Sequence, residues 1–122
     1  MALSALIVED DPAIRQLIVH ILERNGFTTD QAAGGRAAIE MVETGSYDLL
    51  VLDLMMPGVD GFAVIDYVST HCSSTLSRII VLTAMNQAVA EKSLPDAVCR
   101  VLSKPFDVEQ FITYAKECSK AA

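Results

Sequence analysis

Three short segments of the chain are apolar at every position: residues 5–8, 49–52 and 79–82. Strands that are apolar on both faces are typical of a parallel sheet with helices on both sides. The segments Phe27 to Ala32 and Val98 to Leu102 complete a predicted set of five strands.

Between these strands, apolar residues recur with helical spacing. The clearest stripe, with spacing i, i+3, i+4, i+7 and i+8, consists of Ile14, Leu17, Ile18, Ile21 and Leu22. Asp11 is the predicted N-cap of this helix and Pro12 its first residue, and Asn25-Gly26 is the predicted stop.

Four further helices are predicted from weaker patterns. One of about ten residues follows Gly34-Gly35 and ends at Gly45, and another is expected from Asn86 to Leu94. Asp60 caps a helix whose inner residues are Phe62, Ile65 and Val68. Asp107 and Gln110 open a last helix with an inner stripe of Val108, Phe111, Ile112 and Ala115.

The alternation of five strands with five helices predicts an open, doubly wound α/β fold with a parallel sheet. We expect one domain over residues 1–122, with its core at about 5–118. No apolar run approaches the roughly 18 residues of a membrane span, and no secretory leader is recognised, so a cytoplasmic protein is expected.

The charge balance narrows the classes of function. The chain carries 16 acidic and 9 basic residues, a net charge of −7, and residues 1–61 hold the whole excess. Without a basic stripe the protein is not expected to bind nucleic acid directly. The same negative field disfavours an anionic membrane surface.

The three cysteines, Cys72, Cys99 and Cys118, are widely spaced and form no CxxC pair. This pattern argues against a disulfide framework and against a zinc site. We therefore expect buried, reduced thiols.

Polar residues follow the predicted strands where each one ends. Glu9-Asp10, Asp53, Thr83 and Lys104 stand in these positions. In open α/β sheets, ligands bind outside the carboxyl ends of the strands. If the first and third strands are neighbours, about 4.8 Å apart, their carboxylates face each other and need a partner. Mg²⁺ is the expected one, because it prefers oxygen ligands and binds through one or two carboxylates plus phosphate.

Four segments carry a family resemblance over about residues 5–118. They resemble the receiver (response regulator) domain of bacterial two-component signalling, in which the sheet has the flavodoxin-like order 2-1-3-4-5. The segments are Leu6-Ile7-Val8-Glu9-Asp10-Asp11, Asp53-Leu54-Met55-Met56-Pro57-Gly58-Val59-Asp60-Gly61, Thr83-Ala84 and Ser103-Lys104-Pro105-Phe106.

The resemblance implies the roles of the acidic residues. Asp53 would be the phosphoacceptor and, with Asp10, a direct ligand of Mg²⁺. Glu9 would bind the ion through water, and the backbone carbonyl of Met55 would complete the set.

The resemblance also implies how the phosphoryl group is held and read. Thr83 would bond one phosphoryl oxygen and Lys104 another, and the Lys104-Pro105 peptide would be cis. Catalysis would then be positioning plus cationic stabilisation of spread negative charge. Members of the family repack an aromatic residue three positions before the lysine. Val101 occupies that position here, so the signal would depend on the loop after the fourth strand.

The partners follow from the same resemblance. The phosphodonor would be a sensor histidine kinase or a histidine phosphotransfer protein, docking at the first helix. A downstream protein would bind the face formed by helix 4, strand 5 and helix 5. The domain is also expected to dimerise on phosphorylation. The domain would be a signalling module rather than an enzyme, catalysing only its own phosphorylation and slow dephosphorylation.

The rate of dephosphorylation depends on access of water to the acceptor. Met55 and Met85 lie two residues after Asp53 and Thr83, where they flank the entry path of water in this family. Both side chains are apolar and unable to orient a water molecule. Slow autodephosphorylation is therefore expected.

Three alternative classes of protein share part of this sequence pattern. A haloacid-dehalogenase-like phosphatase needs a second Asp two residues after its nucleophile, where Met55 stands. A flavodoxin-like FMN protein needs a phosphate-binding loop after the first strand, where Glu9, Asp10 and Asp11 would repel phosphate. A receiver fold that binds a partner without phosphorylation stays open, and mass spectrometry after treatment with acetyl phosphate and Mg²⁺ separates it.

Overall fold

A computed structural model describes residues 2–119 as a five-stranded parallel sheet between two layers of helices. The strands are β1 (Leu3–Val8), β2 (Phe27–Ala32), β3 (Leu49–Asp53), β4 (Ile79–Thr83) and β5 (Arg100–Ser103). The helices are α1 (Pro12–Glu23), α2 (Gly35–Thr44), α3 (Gly61–His71), α4 (Gln87–Lys92) and α5 (Val108–Ser119). The sheet order is β2-β1-β3-β4-β5, which confirms the predicted fold and strand order.

The register of the sheet sets where the strands end. Val8 of β1 pairs with Leu52 of β3, one residue before Asp53. Thr83 of β4 pairs with Ser103 of β5, one residue before Lys104. Because all pairs are parallel, the residues that follow these strands meet at one edge of the sheet.

Both faces of the sheet are buried, which explains the unbroken apolar runs. Leu6 and Val8 of β1 pack on the side of α2, α3 and α4, in the same cluster as Val64 and Ala90. Ala5 and Ile7 point the other way, in a second cluster with residues of α1 and α5. Alternate residues of one strand thus contribute to two cores.

The ends of α1 agree with the prediction from sequence. The Asp11 side chain accepts hydrogen bonds from the backbone N–H groups of Ala13 and Ile14, and Pro12 is the first helical residue. Gly26 follows the helix with φ +90°, a conformation that favours glycine. The bounds of β2 and the stop of α2 at Gly45 are also as predicted.

Two predicted core residues are instead exposed: Leu17 (50%) and Val108 (43%). Both lie beside Pro105 and Phe106 of the loop between β5 and α5. The four residues line a shallow cavity of about 380 Å³ together with Ile14 and Lys104. Helical spacing put these residues on the inner stripe, but they border this open cavity instead of being covered by the core.

The fourth helix and the fifth strand are shorter than predicted. Asn86 is the N-cap of α4 rather than its first residue, and its side chain accepts from the N–H groups two and three residues later. The helix ends at Lys92, because Pro95 disfavours helical conformation at Leu94 before it. β5 begins at Arg100 rather than Val98, whose N–H donates to the Pro95 carbonyl in a turn. A 3₁₀ helix at Ser73–Arg78 was not predicted.

The expectation of reduced thiols is wrong for two of the three cysteines. Cys99 and Cys118 form a disulfide, with their Cα atoms 5.9 Å apart, whereas Cys72 is free. The sequence separation of 19 concealed this contact. It arises because α5 runs back across the sheet, so that its last turn lies beside the start of β5.

The expected extent of the domain, residues 1–122, includes Met1 and residues 120–122, which lie outside the described residues. None of the helices within residues 2–119 has the length and apolarity that crossing a bilayer requires.

Gly61 allows the first turn of α3 to contact the end of β3, and we expect Gly61→Ala to destabilise the protein. A Cβ there would overlap the Asp53 carbonyl oxygen and lie 2.6 Å from the Leu54 Cα. Overpacking against backbone costs about 2–3 kcal/mol in the free energy of unfolding. Gly34→Ala is the control, since a Cβ there meets nothing within 4 Å. Gly34→Ala should lower the free energy of unfolding by less than about 1 kcal/mol, because it replaces only the N-cap residue of α2. Urea denaturation measures both, and equal losses would contradict the steric explanation.

Candidate functional site

Three carboxylates converge at the carboxyl edge of the sheet. Glu9, Asp10 and Asp53 each offer an oxygen, and these oxygens all lie within 4.8 Å of one another. β1 and β3 bring them together because the two strands are neighbours in the sheet. Asp10 is exposed, but Glu9 and Asp53 are only 2% and 5% exposed, so most of this negative charge is screened from water.

Lys104 is the cation nearest to these carboxylates. Its Nζ lies 2.5 Å from Glu9 Oε1 and 3.5 Å from Asp53 Oδ2. Its backbone N–H donates to the Thr83 carbonyl at 2.7 Å, which anchors the residue to β4. The Lys104-Pro105 peptide is cis, as the resemblance implied. Lys104 therefore contacts two of the three acidic side chains, and one ammonium group does not balance three carboxylates.

The loop after β3 fixes the Asp53 side chain. The backbone N–H of Met55 donates to Asp53 Oδ1 at 3.2 Å, leaving Oδ2 towards Lys104. The Gly61 N–H donates to the Leu54 carbonyl at 3.1 Å and closes the loop. The Met55 side chain, two residues after Asp53, is 58% exposed, whereas Met56 is buried.

Thr83 completes the set of predicted side chains at this edge. The residue is fully buried, and its Oγ1 accepts a hydrogen bond from the Met85 N–H at 3.1 Å. Ser103, the partner of Thr83 in register, donates from its hydroxyl to the Met85 carbonyl at 3.1 Å. The loop that follows β4 is thus held from both sides.

Two contributors to the site were missed in the sequence. Ser103 bonds the loop after β4, and Arg15 of α1 donates to the Glu9 carbonyl at 2.9 Å. Ser103 carried a weak signal, a small polar residue at a strand end. Arg15 carried none, because a charged residue on the polar side of a helix is ordinarily a solvated one.

Burial raises the pKa of Glu9 from 4.5 to about 7. Loss of solvation is the largest cause, and the nearby Asp53 adds to it. The hydrogen bond from Lys104 and that from the Asp11 N–H act in the opposite direction without cancelling it. A proton on Glu9 therefore relieves the repulsion inside the metal-free cluster near neutral pH.

The donor set fits a hard divalent cation. All three side chains offer carboxylate oxygens, the ligands that Mg²⁺ prefers. Their excess negative charge is only partly compensated by Lys104, and a second cation would remove the rest.

Comparison with known proteins adds a family match. Residues 5–116 match the family described as response regulator receiver domain. The chain is 33% identical over 122 residues to the transcriptional regulatory protein TcrA of Mycobacterium tuberculosis, covering 94% of this chain and 45% of TcrA. It is 30% identical over 106 residues to sporulation initiation phosphotransferase F of Bacillus subtilis, covering 86% of this chain and 84% of that protein. The chain thus spans about half the length of TcrA and 84% of the sporulation phosphotransferase.

Solved structures of similar fold cover almost the whole chain. The response regulator protein TrrA of Thermotoga maritima, in complex with Mg²⁺-BeF, has a TM-score of 0.84 at 30% identity, covering 97% of this chain and 99% of that one. The Francisella response regulator 1452 receiver domain has the same TM-score and identity, covering 97% of both chains.

We expect Glu9→Gln to stabilise the metal-free protein, and to do so more at pH 8 than at pH 5. The folded pKa of about 7 lies above the unfolded value of 4.5. The folded state therefore favours protonated Glu9. The stability that the wild-type protein gains from this proton is lost as the pH rises through about 7. Linkage gives a difference on the order of 2 kcal/mol between the two pH values.

Chemical denaturation in EDTA at both pH values measures this difference, with Glu40→Gln on the exposed side of α2 as the control. A stability gain of Glu9→Gln that is equal at pH 5 and pH 8 would contradict the raised pKa.

Proposed function

This chain belongs to the response regulator receiver domain family, and on that premise we propose that it is the phosphoacceptor of a two-component phosphorelay. Asp53 would accept a phosphoryl group from a phosphohistidine on a sensor histidine kinase or histidine phosphotransfer protein. The observation that carries this proposal is the convergence of Asp53, Glu9, Asp10 and Lys104 at one sheet edge.

The proposed reaction transfers a phosphoryl group from an imidazole nitrogen of the donor to the Asp53 carboxylate. An Asp53 carboxylate oxygen forms the new bond to phosphorus while the bond to the donor's imidazole nitrogen breaks. Asp53 is held by the Met55 N–H, so one of its oxygens is oriented before the donor arrives. Lys104 would stabilise the charge that spreads over the equatorial oxygens of the transferring group.

Mg²⁺ is the proposed cofactor, held by Glu9, Asp10, Asp53 and the backbone carbonyl of Met55. Bound there, the ion would supply positive charge to the transferring phosphoryl group and orient its oxygens. Support comes from the three carboxylate oxygens within 4.8 Å of one another. TrrA, a solved relative, carries Mg²⁺-BeF in its complex.

Thr83 is the proposed sensor of the new phosphoryl group. An acyl phosphate adds roughly two negative charges and three acceptor oxygens. The Thr83 hydroxyl would donate to one of them, moving the loop that contains Met85 and that Ser103 also bonds. The change would reach the face formed by α4, β5 and α5, where Val101 is buried in place of an aromatic residue.

The phosphodonor is proposed to dock beside the acceptor, on α1 and the loop before α5. The exposed Leu17 and Val108 flank the cavity there, and Lys104 lies in its wall. An apolar surface next to the acceptor would let a donor helix bury area while its histidine approaches Asp53. Sensor kinases and phosphotransfer proteins present such a histidine in the cytoplasm, which is the proposed location of this domain.

The proposed domain extends over residues 1–122, with dimerisation on phosphorylation as a further proposal. Downstream, a protein partner rather than nucleic acid would bind the altered face, because the chain carries a net charge of −7.

A haloacid-dehalogenase-like phosphatase is disfavoured, because Met55 stands where that class needs its general acid. The phosphorylation-independent module is the alternative that the first experiment below addresses.

We expect the protein to gain one phosphoryl group, about 80 Da, when it is treated with acetyl phosphate and Mg²⁺. Asp53→Asn should abolish the gain, because an amide is not a nucleophile at neutral pH. Intact-mass spectrometry measures both proteins, with EDTA as the metal-free arm. Asp48→Asn is the control, since Asp48 lies at the opposite end of the sheet beside Ser4. An unmodified wild-type protein would contradict the proposed function and favour the phosphorylation-independent module.

We expect slow loss of the phosphoryl group, and Met85→Glu or Met55→Asn should speed it roughly tenfold, about 1.4 kcal/mol of barrier. Each new side chain offers a polar group that orients a water molecule towards the acyl phosphate. The lifetime of the phosphorylated protein in the presence of Mg²⁺ is the measurement. Val89→Glu on α4, an exposed position, controls for the added charge. If neither substitution shortens the lifetime, the shielding by methionine is wrong.

A further inference from the structure

Arg15 occupies an unexpected position for a basic residue. It lies in the first turns of α1, where its backbone N–H donates to the carbonyl of the N-cap residue Asp11. Positive charge near a helix N-terminus opposes the helix dipole. Its side chain nevertheless points back towards the start of the helix and is partly buried, so specific contacts must compensate.

Those contacts join three elements. Arg15 Nη1 donates to the backbone carbonyl of Glu9 at 2.9 Å, in the loop between β1 and α1. Its Nε donates to Gln31 Oε1 at 3.1 Å, on the neighbouring strand β2. Gln16 Nε2 donates to the same Gln31 oxygen at 2.8 Å. The guanidinium is therefore oriented by β2 while it holds the loop.

The Glu9 carbonyl matters because of the peptide that it belongs to. The carbonyl of Glu9 and the N–H of Asp10 share one rigid plane. A hydrogen bond that fixes this carbonyl thus fixes the plane from which the Asp10 backbone continues. Asp10 is the exposed member of the acidic cluster, so its side chain depends more on its backbone for position than Glu9 and Asp53 do.

We propose that Arg15 is a positioning residue for the metal site: through the Glu9 carbonyl it holds the Glu9-Asp10 peptide in the orientation that presents Asp10 to Mg²⁺. This inference rests on the proposed function only for the identity of the ion. Lys104 compensates charge at the side chains of the cluster, and Arg15 orders the backbone behind them.

The proposal makes a prediction opposite in sign to simple electrostatics. Removing a positive charge near three carboxylates should, by Coulomb attraction alone, tighten the binding of a cation. Removing a positioning hydrogen bond should weaken it, because the ion must then order the loop. The direction of the change therefore separates the two roles.

The test compares Arg15→Met and Gln31→Leu with wild type by calorimetric titration with MgCl₂. We expect Arg15→Met to raise the Mg²⁺ dissociation constant about three- to tenfold. Gln31→Leu, which changes no charge, should raise it less, because the guanidinium loses its orientation but keeps the Glu9 carbonyl. The double variant should show less than the sum of the two effects, since both act through one contact. Arg24→Met, the same loss of charge at the other end of α1, is the matched control.

A second measurement needs no metal. Amide hydrogen exchange of Asp10 and Asp11 in EDTA should be faster in Arg15→Met than in wild type or Arg24→Met. Should Arg15→Met fail to fold, Gln31→Leu is judged by the same two measurements. A lower or unchanged Mg²⁺ dissociation constant in the folded variants would overturn the proposal. Unchanged amide hydrogen exchange of Asp10 and Asp11 would do the same. Failure of the proposed function is distinguishable, because it appears as a wild-type protein that acetyl phosphate does not modify.

Discussion

Crowding of negative charge at the end of the sheet is the constraint on which this structure depends. Glu9, Asp10 and Asp53 bring oxygens within 4.8 Å of one another, and two of the three residues are almost inaccessible to water. Such an arrangement is unfavourable unless cations or protons compensate it. The fold supplies one cation, Lys104, just after β5, and loss of solvation raises the pKa of Glu9 to about 7 despite the hydrogen bond from this lysine. The remaining negative charge favours a divalent cation at this edge of the sheet, which agrees with the proposed Mg²⁺ site.

The sheet is what makes such crowding possible. Parallel strands end at a common edge, and the order β2-β1-β3-β4-β5 sets the carboxylates of β1 and β3 side by side. Lys104 must reach across β4 to meet them, and its backbone is fixed to the Thr83 carbonyl. Close contact of α3 at Gly61 holds the loop after β3 on its other side. The apolar faces of helices pack on both sides of these strands, so the close-packed core sets the geometry of the site.

Local signals predicted much of this fold. The cap at Asp11 and the bounds of β2 were read correctly, because they depend on residues adjacent in the chain. The end of α4 was predicted at Leu94, two residues beyond its observed end at Lys92, although Pro95 indicated a stop. Leu17 and Val108 were assigned to the core because a helical stripe shows which residues share a face, not how far the neighbouring helix covers it. The pairing of Cys99 with Cys118 was missed for a related reason: it follows from where α5 ends in space.

For the candidate site, the sequence by itself determined which chemical groups stand at the strand ends: acids at residues 9, 10 and 53, a threonine at 83 and a lysine at 104. Only the tertiary structure decided their distances and burial, and which backbone groups hold them. Arg15 and Ser103 bond carbonyls of residues that no spacing rule connects to them. The physical reason is that side-chain identity is a property of single positions. Solvation, electrostatic coupling and hydrogen-bond partners are instead properties of groups that the chain brings together only when it folds.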